Sequence, residues 1–279
     1  MKPRVSVIIP CYNYGRFIRE AIDSVLSAGR DDVEIIVVDD GSTDRETQIE
    51  MDRLVSEGFH VIRQTNAGLA TARNVAITAA AADLILPLDA DNRVRPAFFE
   101  RALAIMEKDA GTGVVYGDAQ KFGSRTDRWH VGPFDRIRLM RVNYIDACAL
   151  LRRVVWEQHG GYDVNMPIQG LEDWDLWLGT MSRGWKFSYV NEILFDYRVE
   201  SGSMSAKPTE KMAALEAYIA TKYGTLYRDA WMEMQRDLFS VRATGSHFLS
   251  LLTRRVTNKF RPARFCTPVT WREAVRPAR

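Results

Sequence analysis

"LILPLDADN", residues 84–92, sets an apolar run against two acids. Residues 84–88 carry no charge and read as a buried strand, and Asp89 and Asp91 follow one residue apart as the run stops. Carboxylates are seldom buried unless they are paired or bound to a cation. A strand opening onto two acids is therefore either a solvated turn or the rim of a binding site, and the surrounding sequence has to decide between them.

On the N-terminal side, short β-branched runs alternate with helical patterns. Strands are expected at 5–9, 33–38 and 59–63, with helices at 16–27, 43–57 and 69–82. In the first helix Phe17, Ile18, Ala21, Ile22, Val25 and Leu26 form one apolar stripe. On the C-terminal side, Pro96 starts a helix running to about residue 108, as proline suits a first helical turn, and a strand follows at 114–116. This rhythm predicts an α/β fold with a mainly parallel sheet flanked by helices. Ligands of such sheets bind outside the carboxyl ends of the strands. Three strands end in polar loops, at 10–13, 39–44 and 89–92, and topology predicts that these loops share one edge.

The rhythm then changes. Residues 118–142 are irregular and charged; a strand is expected at 147–151, a short helix at 154–159, a helix at 172–183 and one or two strands across 187–199. From residue 208 onward the pattern is helical. The chain has 279 residues, 46% of them hydrophobic, enough for one large domain with an appendage. Its 38 basic and 36 acidic residues leave a net charge of +2, which argues against a general nucleic-acid binder. Cys11, Cys148 and Cys266 are odd in number and lack ligand spacing, so neither a zinc site nor a disulfide framework is expected, and a reducing cytoplasm fits best. The first ten residues are too short for a signal-peptide core, and no run approaches the ~18 apolar residues of a membrane span.

A nucleotide suits the predicted edge, yet neither GxGxxG nor GxxxxGK[ST] occurs. A diphosphate would need another neutralising group, and a divalent cation held by a carboxylate and by the phosphates supplies it. Five segments come in order: "VSVIIPCYN" (5–13), "EIIVVDDGSTD" (34–44), "NAGLATARNVAI" (66–77), "LPLDADN" (86–92) and "GLEDWDLWL" (170–178). Together they resemble the family-two glycosyltransferases, inverting enzymes of GT-A fold that use nucleotide-diphospho-sugars, over about residues 4–205.

The resemblance implies a role for each matched residue. Pro10, Tyr12 and Asn13 border the nucleotide; Asp39 reads the uracil ring, which makes the expected donor a UDP-sugar. Arg73 and Asn74 lie in the segment that closes over the nucleotide. Asp91 is the ligand of a manganese or magnesium ion, and Asp89 lies nearer ribose and sugar. Asp173 is the general base that deprotonates the acceptor hydroxyl. It sits at an expected helix N-terminus, where the dipole favours the ionised form and weakens the base.

The pattern also departs from the family. Many relatives carry a histidine where "YRVESGSMS" (197–205) has Glu200. Either Glu200 joins Asp91 at the metal, or its loop holds it clear of the site. The Gln-x-x-Arg-Trp motif of processive synthases is absent, which implies transfer of a single sugar. Trp174 and Trp177 share a helical face and read as core; the alternative is that one of these indoles stacks on an acceptor sugar, with Trp185 and Trp129 as weaker candidates for the same role.

The expected organisation is a catalytic domain at 1–205 and a helical C-terminal extension at 206–279. Residues 248–265 mix apolar and basic side chains, fitting either a helical cap or peripheral contact with an anionic bilayer that carries lipid-linked acceptors. Two other readings stay open: a nucleotide- or glycan-binding scaffold without turnover, and a sugar nucleotidyltransferase. The latter class usually opens with a Gly-rich, Arg-containing loop, where this chain has residues 11–15, Cys-Tyr-Asn-Tyr-Gly.

Overall fold

The computed structural model describes residues 2–200 and 209–243, with side chains from 212 to 236 in the second stretch. The expected alternation appears as β1 (Val5–Cys11), α1 (Gly15–Leu26), β2 (Val33–Asp39), α2 (Arg45–Ser56), β3 (His60–Arg63), α3 (Leu69–Ala79) and β4 (Leu84–Pro87). It continues through β5 (Arg93–Val94), α4 (Pro96–Lys108), β6 (Thr112–Gly123), β7 (Arg128–Trp129) and α5 (Arg136–Arg141). The remaining elements are β8 (Leu150–Arg152), α6 (Arg153–His159), α7 (Glu172–Ser182), β9 (Lys186–Val199), α8 (Thr209–Lys222) and α9 (Gly224–Ala243).

Two compact units divide the chain, Met1–Tyr223 and Gly224–Arg279. The divide lies beyond residue 205, because α8 packs with the first unit: Lys222 and Tyr218 both bond Asp163. Residues 248–265, with their cap or bilayer reading, lie outside the described residues. No described helix is long and apolar enough to cross a membrane.

The sheet order is β3-β2-β1-β4-β8-β6-β9-β5, with β7 paired to β6. The first four strands are parallel, as the alternation predicts. Beyond β4 the sheet is mixed: β8 runs antiparallel to both β4 and β6, while β6 and β9 pair in parallel. All seven residues of β1 are buried, as befits a central strand covered on both faces. Val5, Val7, Ile9 and Cys11 share a core with Ile18, Ala21, Ile22 and Val25 of α1, while α3 packs on β1 and β2.

In the apolar stripe of α1, Ile18, Ala21, Ile22 and Val25 are buried as the spacing predicts, Phe17 is half-buried, and Leu26 is exposed as the helix's last residue. Helix α3 stops at Ala79, short of the expected residue 82. Arg153 explains the stop: its guanidinium donates to the carbonyls of Ile77 (3.3 Å), Ala80 and Ala82 (2.9 Å from Nε), satisfying acceptors that a further turn would use. Strand β6 runs far past the expected 114–116, because β9 pairs alongside it to Gly123.

Candidate active site

The carboxyl ends of β1, β2 and β4 lie side by side, with Cys11 opposite Asp39 and Ile8 opposite Pro87. Their loops meet as expected, and Asn13 makes the join. Its backbone adopts φ +58°, a left-handed conformation that asparagine tolerates. Its Oδ1 accepts from the Thr43 (2.8 Å) and Asp44 (3.1 Å) N–H groups, and its own N–H donates to Ser42 Oγ (3.0 Å). Asn13 thus holds two loops together, while Tyr12 beside it is 45% exposed and open to a ligand. Pro10 is buried within β1.

The two acids ending β2 do different work. Asp39 is buried, and its Oδ1 accepts the Ser42 N–H at 2.9 Å. Asp40, which the sequence reading passed over, accepts from Gln64 Nε2 (2.7 Å), the Ala67 N–H (2.8 Å) and the Gly68 N–H (2.9 Å). It ties the end of β2 to the entry of α3.

Arg73 is the hub of the site. It is 2% exposed, one Nη donates to Asp89 at 2.6 Å and the other to Glu172. Its guanidinium also lies over the Tyr162 ring, 5.5 Å from the centroid. The resemblance placed Arg73 and Asn74 in a segment closing over the nucleotide; in the structure both are engaged with the protein itself. Asn74 accepts from the Trp156 indole (2.9 Å) and the Tyr162 N–H (2.7 Å), and donates to the Tyr162 carbonyl (2.9 Å). Arg73 joins the Asp89-Ala-Asp91 turn to the Glu172-Asp173 pair, two motifs far apart in sequence.

Asp91 is mostly buried, and burial together with Asp89 and Glu200 raises its carboxyl to about 7. Its turn is clamped by Arg198, which donates Nε–H to the Asp91 carbonyl (3.0 Å) and its backbone N–H to Asn92 Oδ1 (2.9 Å). Arg198 is held in turn between Phe17 and Phe122 and by Glu20. Glu200 pairs with Arg16 at 2.9 Å, near enough to add to the field at Asp91. Among the described residues no three His, Cys, Asp or Glu side chains converge on one point. The residues still fit a hard divalent cation: the donors are carboxylate oxygens, and negative charge at Asp91 is so poorly compensated that its carboxyl is raised to about 7.

Asp173 opens α7. Its Oδ1 accepts from Asn143 Nδ2 (3.0 Å) and the Trp174 N–H (2.9 Å). The expectation that the helix dipole holds it ionised is overturned: burial and the adjacent Glu172 push its carboxyl well above the usual carboxylate range. That makes it a stronger base than the sequence indicates.

Asp146, which no motif flagged, belongs to the same cluster. It is half-buried, its Oδ1 accepts the Cys148 N–H at 2.8 Å, and burial, Asp89 and Asp173 raise it. The phenol of Tyr197 is pushed up by burial and by Asp146, Asp89, Asp91 and Asp173. Trp129 meets Tyr197 edge-on, with centroids 5.5 Å apart, so that indole borders the acid cluster. Trp174 and Trp177 are core, donating to the Leu139 (2.7 Å) and Ile145 (3.1 Å) carbonyls. Trp185 bonds Gln158 at 2.8 Å.

A half-parallel sheet with acids after β2 and β4, and one buried arginine joining Asp89 to Glu172 of α7, defines an α/β protein of GT-A type. The structure of S. aureus TarS in complex with UDP shares this fold, with a TM-score of 0.57 at 20% identity over 78% of this chain and 64% of that one. The family model for glycosyl transferase family 2 matches residues 6–163, and the chain belongs to that family. The putative teichuronic acid biosynthesis glycosyltransferase TuaG of Bacillus subtilis is 31% identical over 215 residues, 74% of this chain and 82% of that protein. The uncharacterized glycosyltransferase EpsJ of the same organism is 44% identical over 102 residues, 36% of this chain. The match spans 30% of EpsJ and 36% of a further relative, alr2836 of Nostoc, so the chain covers only about a third of those two proteins.

Proposed function

We propose that this protein is an inverting, non-processive glycosyltransferase that moves one sugar from a UDP-sugar to an acceptor hydroxyl. Asp173 acts as general base, and a manganese or magnesium ion binds at Asp91. The observation that carries the reading is Asp173: a buried carboxylate with raised basicity, aimed by Asn143 and tied through Glu172, Arg73 and Asp89 to the metal-binding turn. The UDP preference draws on Asp39 at its motif position and on the UDP complex of TarS.

In this mechanism the acceptor hydroxyl attacks the anomeric carbon in line and transfers its proton to an Asp173 carboxylate oxygen. The bond from that carbon to the diphosphate breaks, and its electron pair leaves with UDP. A carboxylate of raised pKa is the better proton acceptor near neutral pH. A bound cation supplies Lewis acidity toward the leaving diphosphate, which would complete its coordination. Asp39 accepts the uracil imide N–H, Tyr12 borders the base, and Asp89 faces the ribose and sugar. Trp129 offers an apolar face to the acceptor, which is a glycan, a lipid-linked sugar or another hydroxyl compound. Peripheral contact with a membrane through residues 248–265 would bring the enzyme to lipid-linked acceptors on the cytoplasmic face.

Asp173→Asn tests the proposal. UDP affinity by calorimetry should stay within about twofold, while turnover falls roughly a hundredfold to ten-thousandfold for a lost general base. In the parent enzyme, kcat/KM should fall on the acid side at a pH above the ~4 of an ordinary aspartate. Unchanged turnover in the variant sinks the assignment. UDP binding by the parent with neither transfer nor hydrolysis would instead indicate a scaffold.

A further inference from the structure

We infer that Lys222 is a positioning residue for the base, acting from α8 through Asp175 and Asp163 on the first turn of α7. Asp175 lies two residues from Asp173 on that turn and is fully buried. Its Oδ2 accepts from Lys222 Nζ (2.9 Å) and His159 Nε2 (2.7 Å). The Tyr223 hydroxyl reaches both its Oδ1 (2.9 Å) and its carbonyl oxygen (2.7 Å). The same Lys222 Nζ lies 2.5 Å from Asp163 Oδ2, which also accepts the Tyr218 hydroxyl. Asp163 begins the segment that leads through Gly170 to Glu172, and the Gly170 N–H donates to Glu172 Oε2 at 2.8 Å. One ammonium therefore fixes both the helix that bears the base and the segment that enters it.

The first turn of α7 is then held from three sides. Glu172 is tied to α3 through Arg73, Asp173 to Asn143, and Asp175 to α6 and α8. Only the last of these ties lies outside the acid cluster, so it can move the base without touching a ligand. Lys222 is also separable from the docking of its own helix. Leu215 and Ile219 bury the apolar face of α8, whereas the Lys222 side chain is 32% exposed. A neutral side chain at 222 leaves that packing in place and removes the charge linking Asp163 to Asp175.

This inference rests on Asp173 being the base. The test compares full-length Lys222→Met and Lys222→Arg with the parent. In Lys222→Met, kcat should fall about ten- to hundredfold, the loss typical of a slightly misplaced catalytic group, with the donor KM within twofold. Lys222→Arg should recover most of it. Amide hydrogen exchange in a peptide spanning 170–178 should quicken in the methionine variant and not in the arginine one. Unchanged kcat in Lys222→Met overturns the inference. So does a loss that arginine fails to rescue and that comes with faster exchange throughout the first unit, because that pattern marks Lys222 as merely structural. Full turnover by Asp173→Asn would remove the base assignment alone, and the exchange at 170–178 would still report whether Lys222 holds α7.

Discussion

Replacing Arg73 with methionine tests the hub directly. Methionine keeps an unbranched chain and removes the guanidinium from a site where Arg73 and Glu172 are each 2% exposed. Removing one partner of a buried ion pair costs about 3–5 kcal/mol, because the other charge stays buried and uncompensated. The Asp89 side chain is a third exposed, so water screens its loss, which adds about 1 kcal/mol at most. Glu172 keeps the Gly170 N–H, which partly offsets its isolation. Domains of this kind have on the order of 5–15 kcal/mol of stability, so the variant should still fold at 25 °C. Urea unfolding at pH 7 and pH 5 reads the effect. An unpaired buried carboxylate takes up a proton rather than stay charged. Its folded pKa then lies above its unfolded one, so the variant keeps its stability at low pH and loses it as pH rises. The gap between parent and variant should therefore be widest at pH 7 and narrow toward pH 5. A loss under about 1 kcal/mol that does not vary with pH would refute the buried pair as the link between the two motifs.

Under the proposed metal assignment, calorimetry should find UDP binding tighter with manganese than without it in the parent, and Asp91→Asn should abolish that difference. The parent Asp91, raised to about 7, contributes stability that is full below about pH 4 and lost as pH rises through 7. The nucleotide-free variant should accordingly melt higher than the parent at pH 8 and alike at about pH 4. Glu200→Gln should change the manganese affinity of the nucleotide-free protein less than about twofold, because Arg16 already holds that carboxylate in a largely surface pair; a tenfold drop would put Glu200 at the metal. Asp40→Ala should cost about 3 kcal/mol in urea unfolding, since it strands the Ala67 and Gly68 N–H groups, and a loss under about 1 kcal/mol would mean water replaces the carboxylate.

The parts of this protein legible in its sequence are those that local pattern encodes. A β-branched run between polar punctuation is a strand whatever lies beside it, so β1, β2 and β4 and the meeting of their three loops followed from residues 5–92 alone. The Asp89-Ala-Asp91 turn and the Glu172-Asp173 pair were visible for the same reason: each motif is contiguous. What stayed hidden depends on partners brought together by the sheet. Strand β8 enters antiparallel because a loop returns Leu150–Arg152 between β4 and β6, and no periodicity announces that pairing.

Asp146 carried no motif, and only the fold sets it beside Asp89 and Asp173. The family resemblance puts Arg73 in a segment that closes over the nucleotide, and only the tertiary structure shows it as the buried link between two acidic motifs. The basicity of Asp173 shows the division most clearly. Sequence supplies the helix end and its dipole, a local term worth about 0.3–1 kcal/mol that favours the ionised form. The fold supplies burial and a neighbouring Glu172, and these penalise the charge more strongly, so it is the tertiary structure that raises this carboxyl.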